Sequence, residues 1–249
     1  MAYKISDKAI LVESGGENIL IAETATFERG GLTILDSDYT LSPTFVSNYF
    51  APDFQGDVSG YASGGSPGSS TTINIIQKFP FASDDNATDV GDLTQSRGDV
   101  AGQFSDNHGY TSGGSAGNSS PRTRYDTIDK FPFSSDANAA DVGNLTQARR
   151  IGGGTSSPTH GYTAGGYAPP GHTNIIDKFP FSVDGNAADV GDLTVARDRT
   201  AGNTSTTHGY VTAGGTFPPF TVRDEIDKYS IVSDANATDV GDTTSGHEA

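Results

Sequence analysis

HGYTSGG at 108–114 decides the reading of this chain, because the chain writes it again. HGYTAGG stands at 160–166 and HGYVTAGG at 208–215, with a poorer copy, SGYASGG, at 59–65. Tyr61, Tyr110, Tyr162 and Tyr210 are separated by 49, 52 and 48 residues. Two further motifs keep the same beat. One is IIQKFPF at 75–81, TIDKFPF at 127–133, IIDKFPF at 175–181 and EIDKYSI at 225–231. The other is DDNATDVGDLT at 84–94, DANAADVGNLT at 136–146, DGNAADVGDLT at 184–194 and DANATDVGDTT at 234–244. An arginine follows in three copies, Arg97, Arg149 and Arg197, and the fourth copy runs into SGHEA without one.

The spacing inside a unit separates frame from loop. From the residue before the lysine (Gln77, Asp129, Asp177, Asp227) to the aspartate of DVG is 12 residues in all four copies. From each arginine to the next repeat tyrosine is 13. From the second glycine of the pair to the residue before the lysine is 12, 15, 11 and 12, and the sequences between are unlike one another. A constant frame with one variable loop per unit is the pattern of a repeat architecture, and such loops gather on one face.

No stretch has helical periodicity; Gly, Pro, Ser, Thr, Asn and Asp recur every few residues. The expected strands of a unit are GYTSG, NIIDKFPF, LTQAR and the RIGGGTSS-type segment before the histidine. IIDKFPF alternates roughly apolar and polar, as a half-buried strand does. The glycine pair permits positive φ or a close backbone approach at a strand end. DANAADVGN carries turn chemistry. Four short strands in about 50 residues make one blade of a β-propeller.

Composition narrows the function. The 249 residues contain no cysteine, 32 glycines and only 33 % hydrophobic residues, so the core must be thin and repeated. The net charge of −16 repels phosphate backbones and argues against nucleic-acid partners. No apolar run reaches the ~20 residues of a membrane span, and the start, MAYKISDKAILVES, lacks the h-region of a signal peptide. A soluble protein made in a cytoplasm is the expectation.

The repeat resembles the kelch family. Tyr110-Thr111-Ser112-Gly113-Gly114 resembles its aromatic strand ending in a glycine pair, Ile128-Asp129-Lys130-Phe131 its next strand, and Leu145-Thr146-Gln147-Ala148-Arg149 its closing arginine segment. The kelch tryptophan is missing, since the chain has none. The resemblance covers about residues 59–242 and implies an all-β, kelch-like β-propeller of about four units. The propeller is expected over 51–249, preceded by a short β segment at 1–50 (ILVES, NILIAET, LTILD) that attaches the repeat domain to a larger assembly or forms oligomer contacts. The ring closes if the tail packs beside the segment before Ser59; the alternative is an open or oligomer-completed array. The wording IDKFPF…DANATDVGDLTQAR is also similar to repeats of marine bacteriophage virion proteins, fibre-like and capsid-associated. That similarity implies a non-enzymatic structural protein, made in the host cytoplasm and carried on the virion, with virion proteins or the host surface as partners and a homo-oligomeric or multicopy state.

Candidate chemistry is sparse. His108, His160 and His208 are equivalent and could ring an axis as metal ligands, but turn histidines bonded to neighbouring backbone explain them too. The DxNxxDxxN runs offer oxygen ligands, yet depart from the calcium-loop spacing, and turn capping accounts for the same residues. HExxH and P-loop motifs and any cysteine nucleophile are absent from the sequence, so neither catalysis nor a cofactor is expected. The variable loops are the binding candidates: Arg122, Arg124 and Tyr125 beside Pro121, then Tyr167 and His172, then Phe217, Phe220 and Arg223. Aromatics and arginines on rigid loops suit protein contact or sugar stacking, and a carbohydrate-binding, lectin-like role is the alternative.

Overall fold

The structure is a computed structural model and describes residues 11–14, 17–20, 28–29, 32–33, 58–68, 71–117 and 122–247. The chain divides into two compact units, Met1–Asp53 and Phe54–Ala249. In the first, Leu11–Ser14 pairs antiparallel with Glu17–Leu20, and Glu28–Arg29 with Leu32–Thr33. The rest of the expected strands at 21–24 and 34–36 lies outside the described residues. So do Pro121 and the segment before Val58 that would close a ring.

The second unit is built of antiparallel sheets, with no helix among the described residues. The second sheet runs Ala101–Phe104, His108–Ser112, Thr127–Pro132 and Ala140–Asn144, each strand beside the next in sequence. The third runs Gly153–Ser156, His160–Ala164, Ile175–Pro180 and Ala188–Asp192. The fourth runs Ala201–Thr204, His208–Thr212, Glu225–Ser230 and Thr238–Asp242. The first has three described strands, Ser59–Ser63, Ile75–Pro80 and Thr88–Asp92.

The motifs now have places. HGY is the start of the second strand, and its tyrosine lies opposite the lysine of the third strand in every sheet: Tyr61 with Lys78, Tyr110 with Lys130, Tyr162 with Lys178, Tyr210 with Lys228. The glycine before the tyrosine is demanded by packing, not by turn geometry. A Cβ on Gly109 would come within 2.2 Å of the Phe131 ring, which lies flat across it from the neighbouring strand. Aromatic residues thus cover backbone in a sheet too thin to offer a thick core.

Two expectations need correction. LTQAR is not the last strand; ADVGN, just before it, is. Leu145 is instead a buried anchor, and the Thr146 N–H and hydroxyl leave the sheet to bond Asp177 of the next one, at 2.9 and 2.7 Å. Its sequence hid this strand, because its ladder bonds and its neighbour hold it rather than an apolar face: Val142 is its one half-buried apolar side chain. In the fourth copy, the glycine pair of the frame is Ala213-Gly214, not Gly214-Gly215. Ala213 takes the positive φ (57°) that Gly113 (64°) and Gly165 (66°) take, and donates to Glu225 O as they do to Thr127 O and Ile175 O. Counted from Gly214, the last variable loop is one residue longer, 13 to Asp227.

Apolar cores form between consecutive sheets rather than within one. Ile76 and Leu93 of the first repeat bury against Phe131 of the second sheet, with Tyr61 stacked on Phe133 at 4.8 Å. Tyr110, Ile128 and Leu145 bury against Phe179, with Tyr110 stacked on Phe181 at 4.7 Å. Tyr162, Ile176 and Leu193 bury against Val211 and Tyr229. Each large aromatic buried this way contributes on the order of 2–3 kcal/mol.

Candidate functional site

Three residue sets could carry chemistry, and each is placed by the junctions between sheets. The first is the arginine that ends each unit. Its backbone closes its own sheet: Gly114 N–H donates to Arg149 O, and Arg149 N–H to Tyr125 O. Its side chain crosses to the next sheet. Arg97 reaches Asp129 (3.0 Å), Arg149 reaches Asp177 (2.9 Å) and Arg197 reaches Asp227 (2.9 Å), with every pair essentially out of solvent. Burial pulls the Arg97 and Arg149 guanidinium pKa values below the ordinary arginine value, while the facing carboxylates push them back up. Carboxylate and guanidinium are each further satisfied, Asp177 by Thr146 and Arg149 by Thr163 O (2.7 Å). A buried pair of this kind holds two sheets in register; it is a joint and offers no open acid or base.

The second set is the DxNxxDxxN run. It forms the outer clasp of the same junction. Asn138 Oδ1 accepts from Asp92 N–H of the preceding sheet, and Ala139 N–H donates back to Asp92 O. The same reciprocal pair joins Asn186 and Ala187 to Asn144, and Asn236 and Ala237 to Asp192. Asp136, Asp184 and Asp234 each accept an ion pair from the preceding sheet's lysine, Lys78 (3.0 Å), Lys130 and Lys178. The DVG aspartates cap locally, as Asp141 Oδ1 does for Gly143 N–H. In the second, third and fourth copies, the first aspartate and the asparagine of the run are therefore engaged by lysine and backbone.

His108, His160 and His208 sit at the opposite end of the second strand from the variable loops. The backbone of each closes a turn with Ser105, Ser157 or Ser205. Burial first, and the nearby Lys130 or Lys178 second, lower the pKa of His108 and His160.

The third set is the variable loops. They fold as small hairpins, Ser115–Ala116 with Thr123–Arg124, Tyr167–Ala168 with Gly171–His172, and Gly215–Thr216 with Thr221–Val222. Each is bridged to the linker that follows an arginine, at Gly98, Arg150 and Asp198. That bridging puts all three at the same end of their sheets.

The loop residues picked from sequence do not behave alike. Arg122, Arg124, Tyr167 and His172 come together. The Arg124 guanidinium lies 4.9 Å from the Tyr167 ring centre, and the His172 imidazole meets that ring edge-on at 5.4 Å. Arg122 reaches Asp99 at 3.3 Å. Tyr125 is half-buried, and its main chain serves the frame. Arg223 pairs with Glu225 at 2.6 Å, again part of the frame. Phe217 and Phe220 stand out in solvent, 65 % and 49 % exposed.

Sequence reading missed three members of the cluster. Arg150 also lies over Tyr167 (5.6 Å) and pairs with Asp99 (3.1 Å), and Asp198 lies 3.5 Å from His172. All three come from the linkers after the arginines. Their signal was the variation Gly98-Asp99, Arg150-Ile151, Asp198-Arg199 at fixed distance from an invariant residue. The cluster sets two guanidiniums, Arg124 and Arg150, over one aromatic ring and a third, Arg122, on Asp99 beside them, a local gathering of positive charge on a chain of net charge −16. Compared with known proteins, the chain matches no family model and no curated protein.

Proposed function

We propose that the four sheets are successive blades of a kelch-like propeller-type array, and that the protein is a non-enzymatic structural component of a bacteriophage virion. In this reading the array is an accessory of capsid or tail, present in many copies, that turns its hairpin end toward neighbouring virion proteins or the host surface. One observation carries it: the residues that vary between units form hairpins at one end, while the residues that repeat are consumed in joining sheet to sheet. A frame of that kind is a mount for loops, and weak loop contacts gain strength through copy number. The virion assignment itself draws on the similarity of the repeat wording to phage virion repeats.

Mass spectrometry of density-purified particles from a culture producing the chain tests this. Recovery at many copies per particle is the expected result; recovery in the soluble fraction alone overturns it.

A second reading, a carbohydrate-binding array, is favoured by Phe217 and Phe220, two exposed aromatics flanking Pro218 and Pro219 on one hairpin. Exposed rings on rigid loops stack on sugar faces. A glycan array separates the two readings: saturable binding that Phe217→Ala and Phe220→Ala abolish supports the lectin-like role, and no binding removes it.

A further inference from the structure

The three junctions between sheets are built to one pattern, and the two outer faces of the array carry the two halves of that pattern unused. On the fourth sheet, Lys228 has no carboxylate partner among the described residues, whereas Lys78, Lys130 and Lys178 each have one. A Cβ built on Gly241 meets nothing within 4 Å, whereas the same glycine at 91, 143 and 191 is pressed against the next sheet's backbone. Val240 is 47 % exposed, though Val90, Val142 and Val190 pack into junction cores. On the first sheet the opposite half is open. Phe79 and Phe81 are 38 % and 53 % exposed, where Phe131 and Phe179, at the place of Phe79, are 4 % and 1 %. Asp84 and Asn86 stand at the places of the clasp residues Asp136 and Asn138.

The faces are matched in one more way. At the place of the buried aspartate the first sheet has Gln77, and at the place of the buried arginine the last unit has His247. The register of His247 is fixed by the backbone: Gly214 N–H donates to His247 O as Gly114 does to Arg149 O, and His247 N–H donates to Arg223 O. Each face left open on a single chain has thus lost its member of the buried ion pair. An unpaired charge at such a place would be costly to bury, and losing both members together leaves neither the arginine nor the aspartate stranded in the seam. The threonine that bonds the aspartate elsewhere is retained as Thr244.

We propose that the fourth sheet of one chain docks on the first sheet of a second copy, repeating the internal junction between molecules. Lys228 then pairs with Asp84, Asn86 accepts from the Asp242 N–H, and Tyr210 packs on Phe79 and Phe81. The interface is head-to-tail, so it closes a ring of copies or extends a row of them. The inference stands on junction geometry and not on the virion assignment.

The absence of native cysteine makes the test clean. Lys228→Cys and Asp84→Cys are introduced in separate full-length chains, mixed, and treated with a short bis-maleimide. A chain carrying Lys130→Cys and Asp184→Cys is the control for an internal junction. The expected result is a covalent dimer from the mixture that neither variant yields alone, and multimers from the chain carrying both substitutions. An internal link in that doubly substituted chain, with no dimer from the mixture, overturns the proposal in favour of closure within one chain. No link of either kind also overturns it. Light scattering gives the second reading: the mass of the native chain rises with concentration, falls to the monomer in Lys228→Asp, and is restored in Lys228→Asp/Asp84→Lys. A mass that stays monomeric throughout counts against docking, and leaves the particle experiment to judge the virion role separately.

Discussion

Arg149 and Asp177 belong to different sheets, yet their charged groups meet at 2.9 Å with almost no access to water. The same relationship recurs at Arg97 with Asp129 and at Arg197 with Asp227. Each arginine stands at the end of one unit and is read, by its backbone, as part of that unit. Its side chain serves the next.

Removing the carboxylate therefore strands a buried cation. Asp177→Ala is expected to cost about 3–5 kcal/mol, measured as the shift in urea unfolding. Arg149→Met/Asp177→Leu is expected to recover most of that loss, because the desolvation cost of both charges disappears together. A double variant no more stable than Asp177→Ala would show that the pair contributes more than it costs.

The lysine clasp on the outer side should weigh far less. Asp184 is more than half exposed, and Lys130→Ala is expected to cost under about 1 kcal/mol in the same assay. The loss should shrink in high salt, where the Asp177→Ala loss should not.

One glycine position separates junction from free face. A Cβ on Gly143 would sit 2.2 Å from the Gly185 carbonyl oxygen, and Gly143→Ala is expected to cost about 2–4 kcal/mol. Gly241→Ala changes the same motif where no neighbour stands, and is expected to cost about 1 kcal/mol, the backbone strain alone. Thermal unfolding of the two variants at dilution, where chains are separate, makes the comparison. Equal losses would mean that strain and not packing sets the glycine.

Stability should depend on pH through the strand-start histidines. His108 and His160 have pKa values lowered from 6.5 by burial, so the unfolded chain binds their protons more readily than the folded one. The sign follows: stability is full above the unfolded value of 6.5, falls as pH drops through it, and levels once the lowered folded values are passed. Unfolding curves between pH 8 and about 4.5 check this. His108→Gln/His160→Gln should remove the step; an unchanged step would place the titration elsewhere.

The loop cluster has its own test. Tyr167→Ala removes the ring under Arg124 and Arg150 without touching the frame, and should cost under about 1.5 kcal/mol of stability. Any partner that engages the hairpin end between the second and third sheets should lose at least tenfold in affinity, read by calorimetry.

Much of this architecture could be read without coordinates. Three motifs recurring at constant spacing mark the all-β character and the location of the variable loops, because a frame that repeats must repeat its residues. The third strand was legible from its own apolar alternation. The fourth was not. ADVGN is held by its ladder bonds and by the sheet that docks against it, and neither leaves a mark on the segment itself.

The loop residues show the same division. Variation marked Arg122, Arg124, Tyr167 and His172 as candidates, since unlike sequences in a constant frame are free to serve a partner. That two arginines, Arg124 and Arg150, converge on one ring, and that Tyr125 and Arg223 belong to the frame, was decided by tertiary structure. So was the use of the repeated acids. Sequence by itself determined that the aspartates, asparagines and arginines recur; only the packing of one sheet on the next decided that those at the three junctions join sheet to sheet. The physical reason is that period is a property of one chain segment, while a charge finds its partner across the gap between two.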